Sequence, residues 1–168
     1  MAKNQTLKIT EMDRYLFGQG THYEIYKLMG AHPTKQKGKD GVYFAVWAPR
    51  AQEVAVVGDF NGWDPNKNIM KCDNDMGIYQ LFIPGVKSGD LYKFCITSPS
   101  GELLYKADPY ANYAEKRPGN ASRVYDITNF KWNDSVWMKN RQNYDVNKNA
   151  MSIYEVHPGS WRKHPQNE

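Results

Sequence analysis

The stretch Glu53 to Pro65 reads EVAVVGDFNGWDP and joins a short apolar strand to a turn that holds two large aromatic residues. Its first six residues alternate with the two-residue period of a β-strand. The pair Asn61-Gly62 then supplies residues that are typical of turns. The pattern predicts a strand over 53–58, followed by a loop that carries Phe60 and Trp63.

Two interpretations of Trp63 are open from the sequence. A large aromatic side chain on a turn can cover the end of a hydrophobic core. A flat indole can also stack on the C–H face of a pyranose ring while Asn, Asp or Lys side chains bond the hydroxyl rim. We expect Asn61 and Lys93, in the strand LYKFCI, to be the polar partners, although Lys93 can equally be an outward-facing strand residue. A neutral glycan is the ligand that suits such a site.

Short strands and turns continue on both sides of this stretch. The separators APRA, DNDMG, PGVKSGD and SPSG recur at the short spacing of an antiparallel sandwich, with no helix between them to build parallel βαβ units. We therefore predict a mainly β fold, an immunoglobulin-like antiparallel β-sandwich. The expected strands are 42–48, 53–58, 68–72, 77–83, 91–97, 102–106 and 122–127.

The two flanks have different patterns from the sandwich. Residues 1–36 contain two short helical patterns and are predicted to be a helical lead-in, so that the sandwich spans 37–128. In 129–168 we expect a helix over 134–142 and then a strand, MSIYEV, which is apolar enough for burial on both faces of a parallel sheet. Nothing downstream supplies such a sheet, so we expect the chain to be a fragment of a longer protein.

Composition excludes several classes of function. Of 168 residues, 22 are basic and 18 acidic, and the two signs alternate along the chain, which does not favour nucleic acid as a partner. No segment resembles a signal peptide or a membrane span, so a soluble cytoplasmic protein without a membrane partner is expected. Cys72 and Cys95 fit no metal-ligand spacing and are predicted to be reduced and buried in strands.

Catalytic groups and cofactor motifs do not emerge from the residues. Glycosyl transfer generally uses two carboxylates on either side of the scissile bond, and no such pair can be nominated. Neither GxxxxGK[ST] nor GxGxxG after a strand occurs, so no nucleotide cofactor is implied. Stacking one sugar on Trp63 buries roughly 60 to 80 Å², or about 2 kcal/mol. Binding that weak acts through avidity on a long polymer.

The chain resembles the amino-terminal region of 1,4-α-glucan branching enzymes, in which a family-48 carbohydrate-binding module precedes a (β/α)8 catalytic barrel. The GDFNGW element is shared with debranching enzymes and kinase-associated glycogen-binding subunits, while GAHP and KADPYA favour branching enzymes. The segments that carry the resemblance are YLFGQGTHYEIYKLMGAHP (15–33), GVYFAVWAP (41–49), VAVVGDFNGWD (54–64), GIYQLFIPG (77–85), LYKF, KADPYANYAEKRPGNASRVYD (106–126) and MSIYEVHPGSW.

This resemblance implies that MSIYEV is the first barrel strand and that the catalytic carboxylates lie beyond this chain, which alone is expected to be inactive. The full-length family members cleave an α-1,4 bond and transfer the chain to a 6-hydroxyl. The implied partners are an α-1,4-linked glucan, such as glycogen or starch, and the barrel itself. The implied sugar contacts are Trp63 and Lys93, with Leu103 where kinase-associated modules have a second Trp.

Three alternatives to glucan binding by a branching-enzyme module remain open. The sandwich can brace the barrel with little sugar binding, in which case we expect an exposed apolar patch that involves Tyr110, Tyr113 or Trp161. It can be a module of a debranching enzyme. It can also be a stand-alone regulatory glycogen sensor, which the apolar strand near the C-terminus disfavours.

Overall fold

The computed structural model describes residues 7–73, 76–128 and 130–161, and the chain divides into two compact units, 1–129 and 130–168. In the first unit α1 (Glu11–Gly18) and a 3-10 helix (Ile25–Lys27) precede the strands, and a second 3-10 helix (Asp59–Asn61) follows β3. The strands are β1 (Gly30–Gln36), β2 (Lys39–Trp47), β3 (Glu53–Gly58), β4 (Lys71–Asp73), β5 (Ile78–Pro84), β6 (Leu91–Thr97), β7 (Leu103–Lys106), β8 (Tyr113–Ala114) and β9 (Ser122–Arg123). The second unit contains α2 (Ser135–Arg141) and α3 (Pro158–Trp161).

The strands form two antiparallel sheets. One sheet has four strands in the order β1-β2-β5-β4, and the other has five, in the order β3-β6-β9-β8 with β7 also on β6. Strand β6 pairs with β3 along its length, while its opposite edge is shared by β9 at the start and β7 at the end. The predicted antiparallel sandwich is confirmed.

The main core lies between the two sheets. Alternate residues of β2 and β5 face alternate residues of β3 and β6, as the pleat of each strand requires. Phe44 packs edge-to-face on Tyr92, with ring centroids 5.1 Å apart. The buried members of this core are Ala31, Val42, Phe44, Val46, Val54, Val56, Met70, Tyr79, Ile83, Val86, Tyr92, Phe94 and Val124.

The N-terminal segment covers the outer face of the four-stranded sheet. Ile9, Ile25 and Met29 are buried there against Tyr43 and other outward residues of β2 and β5. Helix α1 begins with a capping box, in which the Thr10 hydroxyl accepts from the Asp13 amide and the Asp13 carboxylate accepts from the Thr10 amide. The lead-in is therefore a third layer on the sandwich.

Strand β1 corrects the prediction that residues 1–36 are a helical lead-in. It occupies the last seven residues of that range and pairs with β2. The predicted boundary near Lys37 falls in the hairpin turn, where Lys37 and Gly38 have φ of 49° and 79°, as a type I′ turn requires. Pro33 made the strand hard to recognise in the sequence. A proline is tolerated there because β1 is an edge strand.

Two predicted strands are longer than the observed ones by two residues or more. The strand expected over 68–72 begins only at Lys71, because Asn68 has a left-handed φ of 54° and Ile69 makes a single bridge to Ala55. The strand expected over 122–127 ends after Arg123. The strands predicted over 53–58 and 91–97 are confirmed in both position and length.

The apolar segment MSIYEV does not form the strand predicted for it. Residues 151–156 belong to no described helix or strand, and Ile153 is 87% exposed. A strand needs a hydrogen-bonding neighbour, and no described strand pairs with this segment. The helix predicted over 134–142 is confirmed as α2, and the last part of the predicted third region, 162–168, lies outside the described residues.

The two cysteines differ in burial. Cys95 is buried in β6 as predicted, whereas Cys72 is exposed on β4 and corrects the prediction that both are buried. The reason is that β4 is a three-residue strand at the edge of its sheet. Both thiols are free. No helix in the described part of the chain has the length and apolar character needed to cross a bilayer.

A buried carboxyl group joins the end of the five-stranded sheet to the lead-in. The Tyr92 hydroxyl donates to Asp108 Oδ2 at 2.5 Å, and the Tyr110 amide donates to Asp108 Oδ1 at 2.8 Å. The Asp108 amide in turn donates to the Ser122 hydroxyl. Burial raises the pKa of Asp108 above its ordinary value of 3.8, although these donors act in the opposite direction.

This shift predicts a pH dependence of stability. Because the folded state binds the Asp108 proton more tightly than the unfolded chain, the contribution of this group to the free energy of unfolding falls as pH rises above 3.8. We expect urea unfolding from about pH 4 to pH 7 to show wild type losing stability relative to Asp108→Asn as pH rises. A difference between the two proteins that stays constant with pH would contradict the assignment.

Candidate functional site

The outer face of the five-stranded sheet carries a group of side chains packed around an indole, which we call the Trp63 face. In register, Val57 of β3 lies opposite Lys93 of β6, and Cys95 of β6 lies opposite Tyr105 of β7. Side chains opposite each other in neighbouring strands point to the same side of a sheet. The members of the Trp63 face are Glu53, Ala55, Val57, Trp63, Lys93, Cys95, Thr97, Leu103 and Tyr105.

The loop after β3 sends its two aromatic rings in different directions. Phe60 packs against the core between the sheets, with its ring centroid 6.3 Å from that of Phe44. Trp63 packs instead on Ala55 and Val57 and remains partly exposed. The role of covering the core, one of the two interpretations of Trp63, therefore belongs to Phe60.

The backbone at Trp63 is in a conformation that a bulky residue rarely adopts. Gly62 and Trp63 both have left-handed φ, 69° and 61°. Glycine accepts this region freely, whereas a residue with a Cβ is strained there. The Trp63 amide is held by the Gly58 carbonyl at 3.0 Å and by Asn61 Oδ1 at 3.1 Å. Strain that the surroundings maintain in this way is common at ligand sites.

Asn61 organises this loop from within. Its Oδ1 accepts from the amides of Gly58 and Trp63, and its Nδ2 donates to the Val56 carbonyl and to Asn68 Oδ1, all at 2.8 to 3.1 Å. Both hydrogens and both lone pairs of the amide are therefore used. The structure places Asn61 behind the indole as its support, with no bonding capacity left over for a ligand.

Asp59 fixes the ring at the other end. Its Oδ2 accepts from the Leu91 amide at 3.0 Å, which ties the loop to β6, and its Oδ1 accepts from Trp63 Nε1 at 3.3 Å. Asp64 caps the next turn by accepting from the Asn66 amide, and this bond together with Lys67 lowers the pKa of Asp64. The indole is thus held by a hydrogen bond at its rim and by packing on the sheet.

Lys93 lies on the Trp63 face and is half-buried. Its ammonium group donates to Asn120 Oδ1, in the segment before β9, at 2.5 Å. An ammonium group has three hydrogens, and the amide of Asn120 keeps its own donor group, so both can bond further acceptors. Lys93 and Asn120 therefore form a polar pair on the same face as the indole.

Leu103 and Tyr105 complete the face on β7, and each is 45% exposed. Leu103 lies opposite Thr97 and Tyr105 opposite Cys95, the residue on which Trp63 also packs. Burial raises the pKa of the Cys95 thiol, which keeps it protonated and neutral. Ala55, Val57 and Cys95 at the centre of the face are covered, so its accessible apolar part is formed by Trp63, Leu103 and Tyr105, with the charged groups of Lys93 and Glu53 beside them. Such a surface suits a flat ring that has hydroxyl groups around its edge.

Sequence reasoning missed three contributors to this face. Tyr105 could have been found from alternation, because it lies two residues after Leu103 in a strand. Asp59 could have been found less easily, because its bond to Leu91 joins residues 32 positions apart. Asn120 had no local signal, since only the fold brings it to Lys93.

Comparison with known proteins identifies a family and a set of relatives. Residues 28–111, half of the chain, match the model of carbohydrate-binding module 48, the isoamylase N-terminal domain. The chain is 59% identical to the 1,4-alpha-glucan branching enzyme GlgB of Butyrivibrio fibrisolvens and 53% identical to that of Halothermothrix orenii, over 96% and 92% of its length. It also matches ligand-free PulA from Klebsiella pneumoniae with 28% identity over 58% of this chain and 9% of that one, at a TM-score of 0.47.

The chain is much shorter than these relatives. It spans 25% of the Butyrivibrio protein and 24% of the Halothermothrix protein. Its similarity to them is therefore a similarity to about a quarter of each.

Proposed function

The chain belongs to the carbohydrate-binding module 48 family, and from that premise we propose that its Trp63 face binds an α-1,4-linked glucan such as glycogen or starch. The observation that carries this proposal is the placement of Trp63. A strained, hydrogen-bonded loop holds the indole outside the core, on the outer surface of the five-stranded sheet. Its exposed side offers a stacking surface for the C–H face of a glucose ring.

Each neighbour of the indole has a part in this proposal. The Lys93 ammonium and the Asn120 amide bond sugar hydroxyls, and Leu103 and Tyr105 extend the apolar surface to a further glucose unit. Asn61 acts as a positioning residue. Because one stacked sugar contributes about 2 kcal/mol and each net hydrogen bond about 1 kcal/mol, the affinity for a short oligosaccharide is in the high micromolar to millimolar range.

We also propose that the module positions glucan for a 1,4-α-glucan branching enzyme. The similarity to the branching enzymes named above supports this role. Such an enzyme cleaves an α-1,4 bond and transfers the chain to a 6-hydroxyl. Weak contacts with one polymer raise the effective concentration of substrate at a tethered catalytic domain. The proposed setting is the cytoplasm, which agrees with two free thiols.

Affinity electrophoresis tests the proposal. Migration of the chain through native gels with and without glycogen is compared with that of a non-binding protein of similar size. We expect retardation that increases with glycogen concentration and is relieved by soluble maltoheptaose. Migration that is unaffected by glycogen at any concentration would contradict glucan binding.

A second candidate function, packing against a catalytic barrel, is favoured by another surface of the first unit. Tyr113 and Tyr125 stack with ring centroids 5.3 Å apart and are 51% and 45% exposed. Tyr110 is half-buried against the lead-in cluster and does not belong to this exposed pair. Two stacked aromatic rings left open to solvent are typical of a surface that contacts another protein domain.

We expect replacement of both exposed rings, Tyr113→Ser with Tyr125→Ser, to weaken association with a separately produced catalytic part of the Butyrivibrio relative. Association is measured by co-purification, with Trp63→Ala as the control that alters a different face. Unchanged association of the double variant would argue against this surface as the contact.

A further inference from the structure

A large cleft lies on the side of the molecule opposite the Trp63 face. It opens on the outer surface of the four-stranded sheet and has a volume of about 1000 Å³. Its walls come from the N-terminal segment, α1, the β1–β2 turn and strands β4 and β5. Phe82 and Leu7 give this cleft an apolar floor on the outer face of the sheet.

The described residues that line this cleft are rich in positive charge. Five cationic side chains line it, and none of its described lining residues is Asp or Glu. They come from four separate segments of the chain and converge only in the folded structure. These residues are Lys8, Arg14, Lys37, Lys39 and Lys71. A cleft lined by one sign of charge, with apolar walls, concentrates the electrostatic potential and attracts counter-ions.

The lysines of this cleft lack the partners that other lysines have. Lys27, Lys67 and Lys148 each pair with a carboxylate three residues away. Over the described residues, Lys8, Lys37, Lys39 and Lys71 form no ion pair. Like charges that line one cleft repel one another, and a bound anion reduces this repulsion.

An oriented amide adds a neutral donor to the cleft. Gln80 Oε1 accepts from the Tyr43 hydroxyl at 2.6 Å and from the Ile9 amide at 3.2 Å. Both acceptor sites of Oε1 are therefore occupied. The amide nitrogen of this side chain, Nε2, has no acceptor among the described residues and remains a donor on the cleft wall. The cleft thus offers donors and positive charge, which is what a phosphate group requires.

We propose that this cleft binds a phosphate monoester carried by a sugar. The cations and Gln80 bond the phosphate oxygens, and the apolar floor contacts the C–H face of the sugar. The volume suits a ligand of one or a few sugar units, since small-molecule sites commonly span about 300 to 1000 Å³. The choice of a sugar as the carrier rests on the proposed function, whereas the phosphate subsite does not.

Two-dimensional NMR of the ¹⁵N-labelled 168-residue chain tests this inference. The probes are glucose 6-phosphate as a free sugar phosphate and a 6-phosphorylated maltooligosaccharide as phosphate on a glucan, with inorganic phosphate, glucose and maltoheptaose as references. We expect both esters to shift amides around Lys37, Lys71 and Gln80 and to bind with higher affinity than inorganic phosphate. Glucose is expected to leave these amides unchanged. A higher affinity for one of the two esters identifies whether the phosphate is carried by a free sugar or by a glucan.

Charge-matched variants separate a site from a general effect of basic charge. Lys37→Gln with Lys71→Gln is expected to weaken ester binding about fivefold, because each exposed charge contributes modestly. Lys27→Gln with Lys148→Gln removes the same net charge elsewhere and is expected to change nothing. Trp63→Ala is also expected to leave the shifts of the cleft amides with both esters unchanged, which keeps this result independent of the glucan site.

Three outcomes would overturn the proposal. Absence of shifts at the cleft with either ester removes the site. Equal weakening of ester binding by the two double lysine substitutions would mean that binding is a non-specific effect of basic charge. Equal affinity for inorganic phosphate and for both esters removes the sugar from the proposal and leaves only an anion site.

Discussion

Trp63→Ala is expected to abolish most of the retardation of this chain in glycogen gels. The substitution removes the stacking surface, worth about 2 kcal/mol, and hence weakens binding roughly 30-fold. The fold should survive, because the indole packs on the outer face of the sheet and lies outside the core between the sheets. The midpoint temperature of thermal unfolding, Tm, is expected to be only a few degrees lower in the variant.

Trp137→Ala is the matched control for this substitution. Trp137 is an exposed indole, 60% accessible, on α2 in the second unit. Its removal is expected to leave retardation unchanged. Equal retardation of wild type and Trp63→Ala would place the glucan site elsewhere, while equal loss in both variants would mean that the assay reports general aromatic contact with glycogen.

Asn61→Ala is expected to destabilise the loop and weaken binding together. Four hydrogen bonds end at this amide, two of which hold the amides of Gly58 and Trp63. Losing them, with their partners left partly buried, should reduce the free energy of unfolding by about 2 to 4 kcal/mol. Trp63 then loses one of the two acceptors that maintain its left-handed backbone. Urea unfolding and gel retardation measure the two effects.

Asn61→Asp separates support of the loop from contact with sugar. The carboxylate keeps an acceptor for Gly58 and Trp63 but sets its second oxygen against the Val56 carbonyl and Asn68 Oδ1, so a loss of stability at least as large as that of Asn61→Ala is expected at neutral pH. Binding should follow stability across wild type, Asp and Ala. Loss of binding in Asn61→Ala with unchanged stability would show that Asn61 bonds the glucan directly, against the positioning role proposed for it.

Strands with strong alternation could be predicted from the sequence. Residues 53–58 and 91–97 carry a two-residue period between clear turn residues, and their positions are confirmed. Strand β1 was missed because Pro33 and its polar neighbours interrupt the alternation of apolar and polar residues. An edge strand such as β1 tolerates this interruption. MSIYEV shows the converse, since an apolar pattern without a pairing partner forms no strand in this chain.

The candidate site could also be predicted in part from the sequence. Trp63 and Lys93 stood out by residue type, and the structure places both on one face of the sheet. The role of Asn61 could not be predicted, because an Asn in a turn can face either solvent or the loop interior. The basic cleft was hidden for a different reason: its cations come from four separate segments of the chain, and only the fold brings them together.

Chemical-shift mapping with maltoheptaose tests the central claim most directly. Titrated into the ¹⁵N-labelled chain, this neutral glucan is predicted to shift a contiguous set of amides on the Trp63 face, around Val57, Trp63, Lys93, Tyr105 and Asn120, together with the Trp63 indole N–H. The four-stranded sheet should remain unperturbed. Shifts confined to other surfaces, with the Trp63 indole signal unmoved at saturation, would contradict the account.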